Sequence, residues 1–289
     1  MPNCAFVGLG VMGYPMAGHL QAAGHPTTVY NRTTAKAEAW VGEHGGSSAP
    51  TPREAATGAD LVMVCVGNDD DLRSVVFGDH GALAGMDPDT TLVDHTTASA
   101  EVAREIRVAA DAVGVGFIDA PVSGGQAGAE NGQLAVMCGG DENVYAGIEP
   151  VIDAYAKISV LVGGTGSGQL TKMVNQVCIA GLIQGLSEAL DFGRRAGLDM
   201  DRVLSVIGGG ASGSWQMANR AGTMLDRHFD HGFALDWMRK DLGIVFDEAE
   251  RIDATLPITA LVDQLYARLQ REGHGRWDTS ALIELLRDD

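Results

Sequence analysis

Along the first half of the chain, short apolar runs alternate with longer stretches of helical spacing. The runs at 3–7, 27–30, 61–66, 92–94, 116–119, 134–138 and 158–162 have the composition of buried strands, and the stretches between them that of helices. Past residue 163 the pattern changes. Gly163-Gly164-Thr165-Gly166-Ser167-Gly168 leads into apolar positions at Leu170, Met173, Val174, Val177, Ile179, Leu182, Ile183, Leu186, Ala189 and Leu190, spaced for one long helix that ends at Gly197. After that the chain reads as helix only. Asp199 starts a short helix, Ser214 starts another after the glycine-rich 208–213 loop, Lys240-Asp241-Leu242-Gly243 opens a third, Pro257 a fourth, and 276–286 forms the last.

The alternating part carries its clearest signal at the first strand. Gly8-Leu9-Gly10-Val11-Met12-Gly13 follows that strand at once and opens a helix, which is the arrangement of a dinucleotide turn. Gly8 permits the tight turn, Gly10 lets a pyrophosphate approach the backbone, and Gly13 lets helix and strand pack closely. The second strand ends in Asn31-Arg32-Thr33, where an NAD-binding fold places an acid against the ribose hydroxyls. No acid stands here. Arg32 beside two small polar residues suits a 2′-phosphate, so the expected cofactor is NADP, with NAD as the lesser possibility.

Further along, three segments reach the carboxyl edge of the sheet, where open α/β sheets bind ligands. Gly67-Asn68-Asp69-Asp70-Asp71 reads as a loop that caps the next helix rather than a metal site, and no metal is expected. Asp94-His95-Thr96-Thr97 ends one strand; His95, with no recognisable Asp or Ser partner, reads as a packing residue. Ser123-Gly124-Gly125 offers a hydroxyl and unobstructed amides to a carboxylate. Lys172 lies in the first turns of the long helix, where the dipole and partial burial favour the neutral amine and proton transfer near neutral pH. Gly181 and Gly185 in that helix admit a second backbone, from the C-terminal helices or from another subunit.

Composition narrows the partners. With 38 acidic and 20 basic side chains the formal charge is -18, which disfavours nucleic acid and anionic membranes as ligands. No apolar run is long enough to span a bilayer, and the start of the chain lacks a secretion signal, so a soluble cytoplasmic protein is expected. Cys4, Cys65, Cys138 and Cys178 each sit in apolar runs without metal or dithiol spacing and read as reduced core residues.

A dinucleotide fold followed by Gly-x-x-Gly-x-Gly-x-x-x-Lys resembles the β-hydroxyacid dehydrogenases, the family of 3-hydroxyisobutyrate dehydrogenase, tartronate semialdehyde reductase and glyoxylate reductase. The likeness covers the whole chain in four ordered motifs: the glycine turn, the segment ending in Gly124-Gly125, the lysine helix and Lys240-Asp241-Leu242. It implies an α/β fold with an N-terminal Rossmann-type domain over 1–163, then a long interdomain helix and an all-helical C-terminal domain over 164–289 that closes the cleft and supports a homodimer or homotetramer. It implies a small carboxylate substrate held at Ser123, Gly124 and Gly125, with Thr97 and Phe233 beside it and Lys172 as general acid and base. It also assigns Val66, Thr97, Lys240 and Asp241 to the cofactor, together with Leu9, Val11 and Met12 in the glycine turn.

At one position this chain departs from the family. The family's second catalytic amide is an asparagine one turn beyond the lysine, where this chain has Gln176, with Asn175 one residue early and turned aside by about 100°. The expected activity is the interconversion of a β-hydroxy or α-hydroxy carboxylate and its semialdehyde or keto form. Competing readings are an imine reductase, for which related folds replace the lysine by a weaker proton donor, and a non-catalytic NADP-binding module. Lys172 counts against both.

Overall fold

A computed structural model describes residues 1–287. The described residues divide into two compact units, the first ending at Lys172 and the second beginning at Met173. In the first unit the order is β1 (Cys4–Val7), α1 (Gly13–Ala22), β2 (Thr27–Tyr30), α2 (Thr34–His44), β3 (Ser47–Ser48), α3 (Pro52–Ala56), β4 (Leu61–Val64), α4 (Asp69–Val76), β5 (Thr91–Asp94), α5 (Ala100–Ala112), β6 (Gly116–Asp119), β7 (Val122–Ser123), α6 (Gly125–Glu130), β8 (Leu134–Gly140), α7 (Glu142–Ile152) and β9 (Ala156–Gly163). Helix α8 (Ser167–Arg195) starts here and runs on into the second unit. There follow α9 (Met200–Ile207), α10 (Trp215–Leu225), α11 (Leu235–Arg251), α12 (Pro257–Arg271) and a 3₁₀ turn at Thr279–Leu286.

The described strands of the first unit form one sheet in the order β3-β2-β1-β4-β5-β6-β8-β7, with β9 also on β8. From β3 to β6 neighbours are parallel; β8 then runs antiparallel to β6 and β7, and β9 parallel to β8. The first six strands thus have the doubly wound dinucleotide order, whose direction of winding reverses between β1 and β4. Alternation along β1 explains why the sheet must be covered twice. Cys4 and Phe6 enter a core with Met16, Leu20, Trp40 and Tyr155, while Ala5 and Val7 enter another with Leu72, Ile106 and Phe117.

The second unit has its own core. Ala180, Ile183, Leu186 and Leu190 form one stripe of α8 and meet Met224 of α10, Leu235, Met238 and Leu242 of α11, and Val262 and Tyr266 of α12. On α8 a Cβ at Gly181 or Gly185 would meet no described atom, so neither glycine supports a close backbone approach within this chain. Among the described residues no helix is long and apolar enough to cross a membrane.

Three sequence expectations need correction. Helix α11 starts at Leu235, so Lys240 and Asp241 lie in its second turn rather than at its opening. Its first amides go to distant carbonyls, Leu235 N–H to Trp277 at 2.9 Å and Asp236 N–H to Gly275 at 2.9 Å, and no side-chain cap marks the start. The last helix is a 3₁₀ segment capped by Asp278 and begins three residues later than expected. Cys178 is exposed rather than part of the core. It falls on a face of α8 opposite to the stripe that includes Ala180 and Ile183, a distinction that a long apolar run does not reveal.

Candidate active site

The glycine turn after β1 stands beside the point where the sheet order reverses. Gly8 has φ +101°, and a Cβ there would collide with the Cys65 carbonyl at the end of β4. A Cβ on Gly13 would strike the Gly8 carbonyl and the Phe6 ring, so this glycine lets α1 lie directly on β1. At Gly10 the added carbon would meet nothing within 4 Å, which leaves its backbone open to a ligand. Leu9 N–H donates to Asn31 Oδ1 at 3.0 Å and so fastens the turn to the end of β2. Val11 is exposed at the rim, and Met12 is the residue immediately before α1.

Beyond β2 the Asn31 amide donates to Thr33 O at 3.1 Å, while the Arg32 guanidinium projects into solvent with 87% of its side chain exposed. Its nearest acid is Asp71 of α4, at 3.4 Å. Of the 67–71 segment, Asn68 does cap α4, accepting from Asp71 N–H at 2.8 Å, but all three aspartates lie in the first turn of the helix rather than in a loop before it. At the end of β4, Val66 N–H donates to the Thr96 hydroxyl at 3.1 Å, which ties the β4 exit to the β5 exit.

The β5 and β6 exits form a buried polar layer. Asp94 is fully buried and accepts from Thr96 N–H at 2.9 Å; burial pushes its carboxyl up to about 7 against the pull of the Thr96 hydrogen bonds. His95 Nδ1 lies 2.7 Å from the Ala120 carbonyl, which can only accept, so Nδ1 carries the hydrogen and Nε2 accepts from the Tyr155 hydroxyl at 2.8 Å. Burial pushes this imidazole down to about 4. It is the packing residue that its isolation in sequence suggests.

Asp119, also buried, takes Gly166 N–H at 2.7 Å and Gln169 N–H at 3.0 Å on its two oxygens and so caps α8 from the end of β6. Burial raises this carboxyl to about 6, partly offset by the amides it accepts. From the helix so capped, Lys172 extends back to the same segment: its ammonium donates to the Val122 carbonyl at 2.9 Å, and only 8% of the residue is exposed. Ser123 is the next residue. Gly124 and Gly125 follow at φ +139° and +62°, and a Cβ on Gly125 would meet nothing within 4 Å. Within the first unit, then, Lys172 of α8 reaches the segment that carries Ser123, Gly124 and Gly125 after β6, and Thr97 follows β5, the parallel neighbour of β6.

The second unit holds the other expected residues. Gln176 is buried, and its amide donates to Asp241 Oδ2 at 2.7 Å and to Met238 Sδ at 3.6 Å. Its oxygen accepts from Asn175 Nδ2 at 2.7 Å, so the two neighbouring amides are joined to each other. Lys240 pairs with Asp241 Oδ1 at 2.7 Å, forming a chain Asn175–Gln176–Asp241–Lys240. Phe233 is half-buried, its backbone N–H held by Asp278 Oδ2 at 2.8 Å.

Both halves of the sequence match family models: residues 3–164 the NAD binding domain of 6-phosphogluconate dehydrogenase, and residues 166–286 the NAD-binding domain of NADP-dependent 3-hydroxyisobutyrate dehydrogenase. The chain is 34% identical to the 2-hydroxy-3-oxopropionate reductase of Escherichia coli over 97% of its own length and 96% of the relative's. This chain belongs to the β-hydroxyacid dehydrogenase family. It is 58% identical to an uncharacterized oxidoreductase of Shewanella frigidimarina, over 99% of this chain and 98% of that one. The fold superimposes on the Mycobacterium tuberculosis 3-hydroxyisobutyrate dehydrogenase with L-serine at a TM-score of 0.89 and 30% identity, covering 99% of each chain. As a member of this family it is an oxidoreductase that uses a nicotinamide dinucleotide.

The residues present fit that cofactor. Two glycines are required by the fold itself, and the third, Gly10, is the one whose extra carbon would point into space that a pyrophosphate needs. Reading the sequence missed Asp119, Gln169 and the Asn175–Gln176 contact. Asp119 had a signal, an acid placed just before the Pro121-Val122-Ser123 segment, whereas Gln169 had none that distinguishes it from a surface glutamine.

Proposed function

We propose that this β-hydroxyacid dehydrogenase interconverts a small β-hydroxy or α-hydroxy carboxylate and its semialdehyde or keto form, prefers NADP, and uses Lys172 as general acid and base. The observation that carries the reading is the buried Lys172 ammonium on the Val122 carbonyl, one residue from Ser123. The Ser123 hydroxyl and the amides of Gly124 and Gly125 receive the substrate carboxylate. Bound nicotinamide supplies the hydride acceptor or donor at the carbinol carbon. In oxidation the neutral Lys172 amine takes the hydroxyl proton as the C–H bond breaks; in reduction the ammonium returns it to the carbonyl oxygen. The Val122 carbonyl accepts a hydrogen from Nζ in either state and keeps the amine aimed.

Thr97 contacts the nicotinamide and the substrate, and Arg32 receives the 2′-phosphate. Support for NADP comes from the lack of an acid after β2 and from the exposed guanidinium there. The test is turnover of 3-hydroxyisobutyrate, D-glycerate and L-serine with NADP⁺ and with NAD⁺, in the unmodified protein and in Lys172→Met. We expect at least one acid to be oxidised with NADP⁺, and the variant to lose at least about 100-fold in kcat while still binding NADPH. Retention of activity within a few-fold in Lys172→Met would remove the assigned role.

A further inference from the structure

We propose that Gln169 is a positioning residue for the reaction, its side-chain amide bracing Thr97 from both sides against the first turn of the helix that carries Lys172. The inference rests on the roles proposed above for Thr97 and Lys172. Gln169 is completely buried. Its Nε2 donates to the Thr96 carbonyl at 2.7 Å, and its Oε1 accepts from Ala98 N–H at 3.0 Å. These are the two peptide groups that flank Thr97. One planar side-chain amide thus pairs the carbonyl of one peptide and the N–H of the other, so that rotation of either peptide about Thr97 breaks a buried hydrogen bond.

The same residue is referenced to the neighbouring strand exit. Gln169 N–H donates to Asp119 Oδ2 at 3.0 Å, and Asp119 Oδ1 accepts from Gly166 at 2.7 Å. A Cβ on Gly168 would press on the Asp119 carbonyl at 2.5 Å, so this turn of α8 sits directly against the end of β6. Lys172 leaves the helix three residues later and reaches Val122 at 2.9 Å. The turn 169–172 therefore fixes Thr97 through a side chain and the Ser123 segment through a capped backbone. Displacing one reacting group by about 1 Å costs on the order of 100-fold in rate, so this brace acts on catalysis without touching substrate.

Only an amide of this length satisfies both peptides. Leucine fills the volume but offers neither donor nor acceptor, and an ionised glutamate keeps the acceptor but sets a negative oxygen against the Thr96 carbonyl. Protonation of that glutamate restores a donor. The experiment compares Gln169→Leu, Gln169→Glu and Lys172→Met in the full chain, with NADP⁺ and whichever of 3-hydroxyisobutyrate or D-glycerate the unmodified protein oxidises faster. Thermal unfolding and NADPH binding are measured alongside.

The expected result is a fall in kcat of about tenfold or more for Gln169→Leu, with NADPH affinity changed by less than about threefold. For Gln169→Glu, kcat relative to the unmodified protein should rise as pH falls. Activity of Gln169→Leu within about twofold, or a loss that tracks only the folded fraction, overturns the inference. Should the leucine variant fail to fold, the glutamate ratio decides, and a ratio flat with pH overturns it. Loss of activity in Lys172→Met but not in the Gln169 variants sinks the brace alone, whereas full activity in Lys172→Met sinks the reading on which it rests.

Discussion

Under the proposed preference for NADP, cofactor choice turns on Arg32 and Asp71. Arg32 is exposed and stands 3.4 Å from Asp71, so a 2′-phosphate arriving at the guanidinium meets a competing carboxylate. An exposed pair of this kind contributes little to stability, about 0–1 kcal/mol, but its charge acts directly on an anionic ligand. Asp71→Asn should therefore tighten NADP binding several-fold and leave NAD unchanged. Arg32→Asp should do the reverse, weakening NADP by the loss of a charge-assisted contact of about 1.5–3 kcal/mol and giving the ribose hydroxyls an acceptor. Fluorescence titration of both variants with both reduced cofactors checks this, and tighter binding of NAD than NADP by the unmodified chain would reverse the assignment.

The decisive element is the start of α8. A 29-residue helix leaves its first amides unpaired, and here Asp119 satisfies two of them from outside the helix. Asp119→Ala should destabilise the first unit by about 1–3 kcal/mol, because it strips buried amides of their acceptor. Hydrogen exchange should quicken first at Gly166 and Gln169. Equal protection there in variant and parent would mean that water or another group replaces the cap. In the downstream part of α8, Ile183, Leu186 and Leu190 are buried as a stripe, whereas Leu182 and Ala189 of the same apolar series are exposed. The start of α11 was not legible, since its amides are met by the 275–277 backbone rather than by a capping side chain.

At the scale of the folded chain, the buried groups Asp94, Asp119 and His95 make stability depend on pH between about 4 and 7. Asp94 and Asp119 are raised from 3.8 to about 7 and about 6, so the folded chain holds protons that the unfolded chain releases. Their contribution is full below about pH 4 and is lost as pH rises through those values. His95, lowered from 6.5 to about 4, acts oppositely: its contribution is full above 6.5 and is lost as pH falls toward 4. Asp94→Asn removes one of the two acidic contributions. The stability of this variant relative to the parent should rise between about pH 4 and 7, by up to about 1.4 kcal/mol per pH unit, and level off above. Denaturant titrations at intervals across that range check it, and a difference independent of pH would show that Asp94 ionises normally in the folded chain.

The sequence alone determined what depends on local chemistry and period. The β1 turn was legible because Gly8, Gly10 and Gly13 stand at a spacing that strand, turn and helix geometry require, and seven of the strands because each is built around a short apolar run, whereas β3, two serines, and the two-residue β7 carry no such run. The roles proposed for Lys172 and Ser123 rest on their neighbours in sequence. Tertiary structure decided the partners of buried polar groups. That Gln169 spans the peptides around Thr97, that Asp119 caps a helix that starts forty-odd residues later, and that Gln176 is held by Asn175 and Asp241 are facts of distant segments meeting. A buried donor or acceptor must find a partner, but the requirement does not say where along the chain that partner lies.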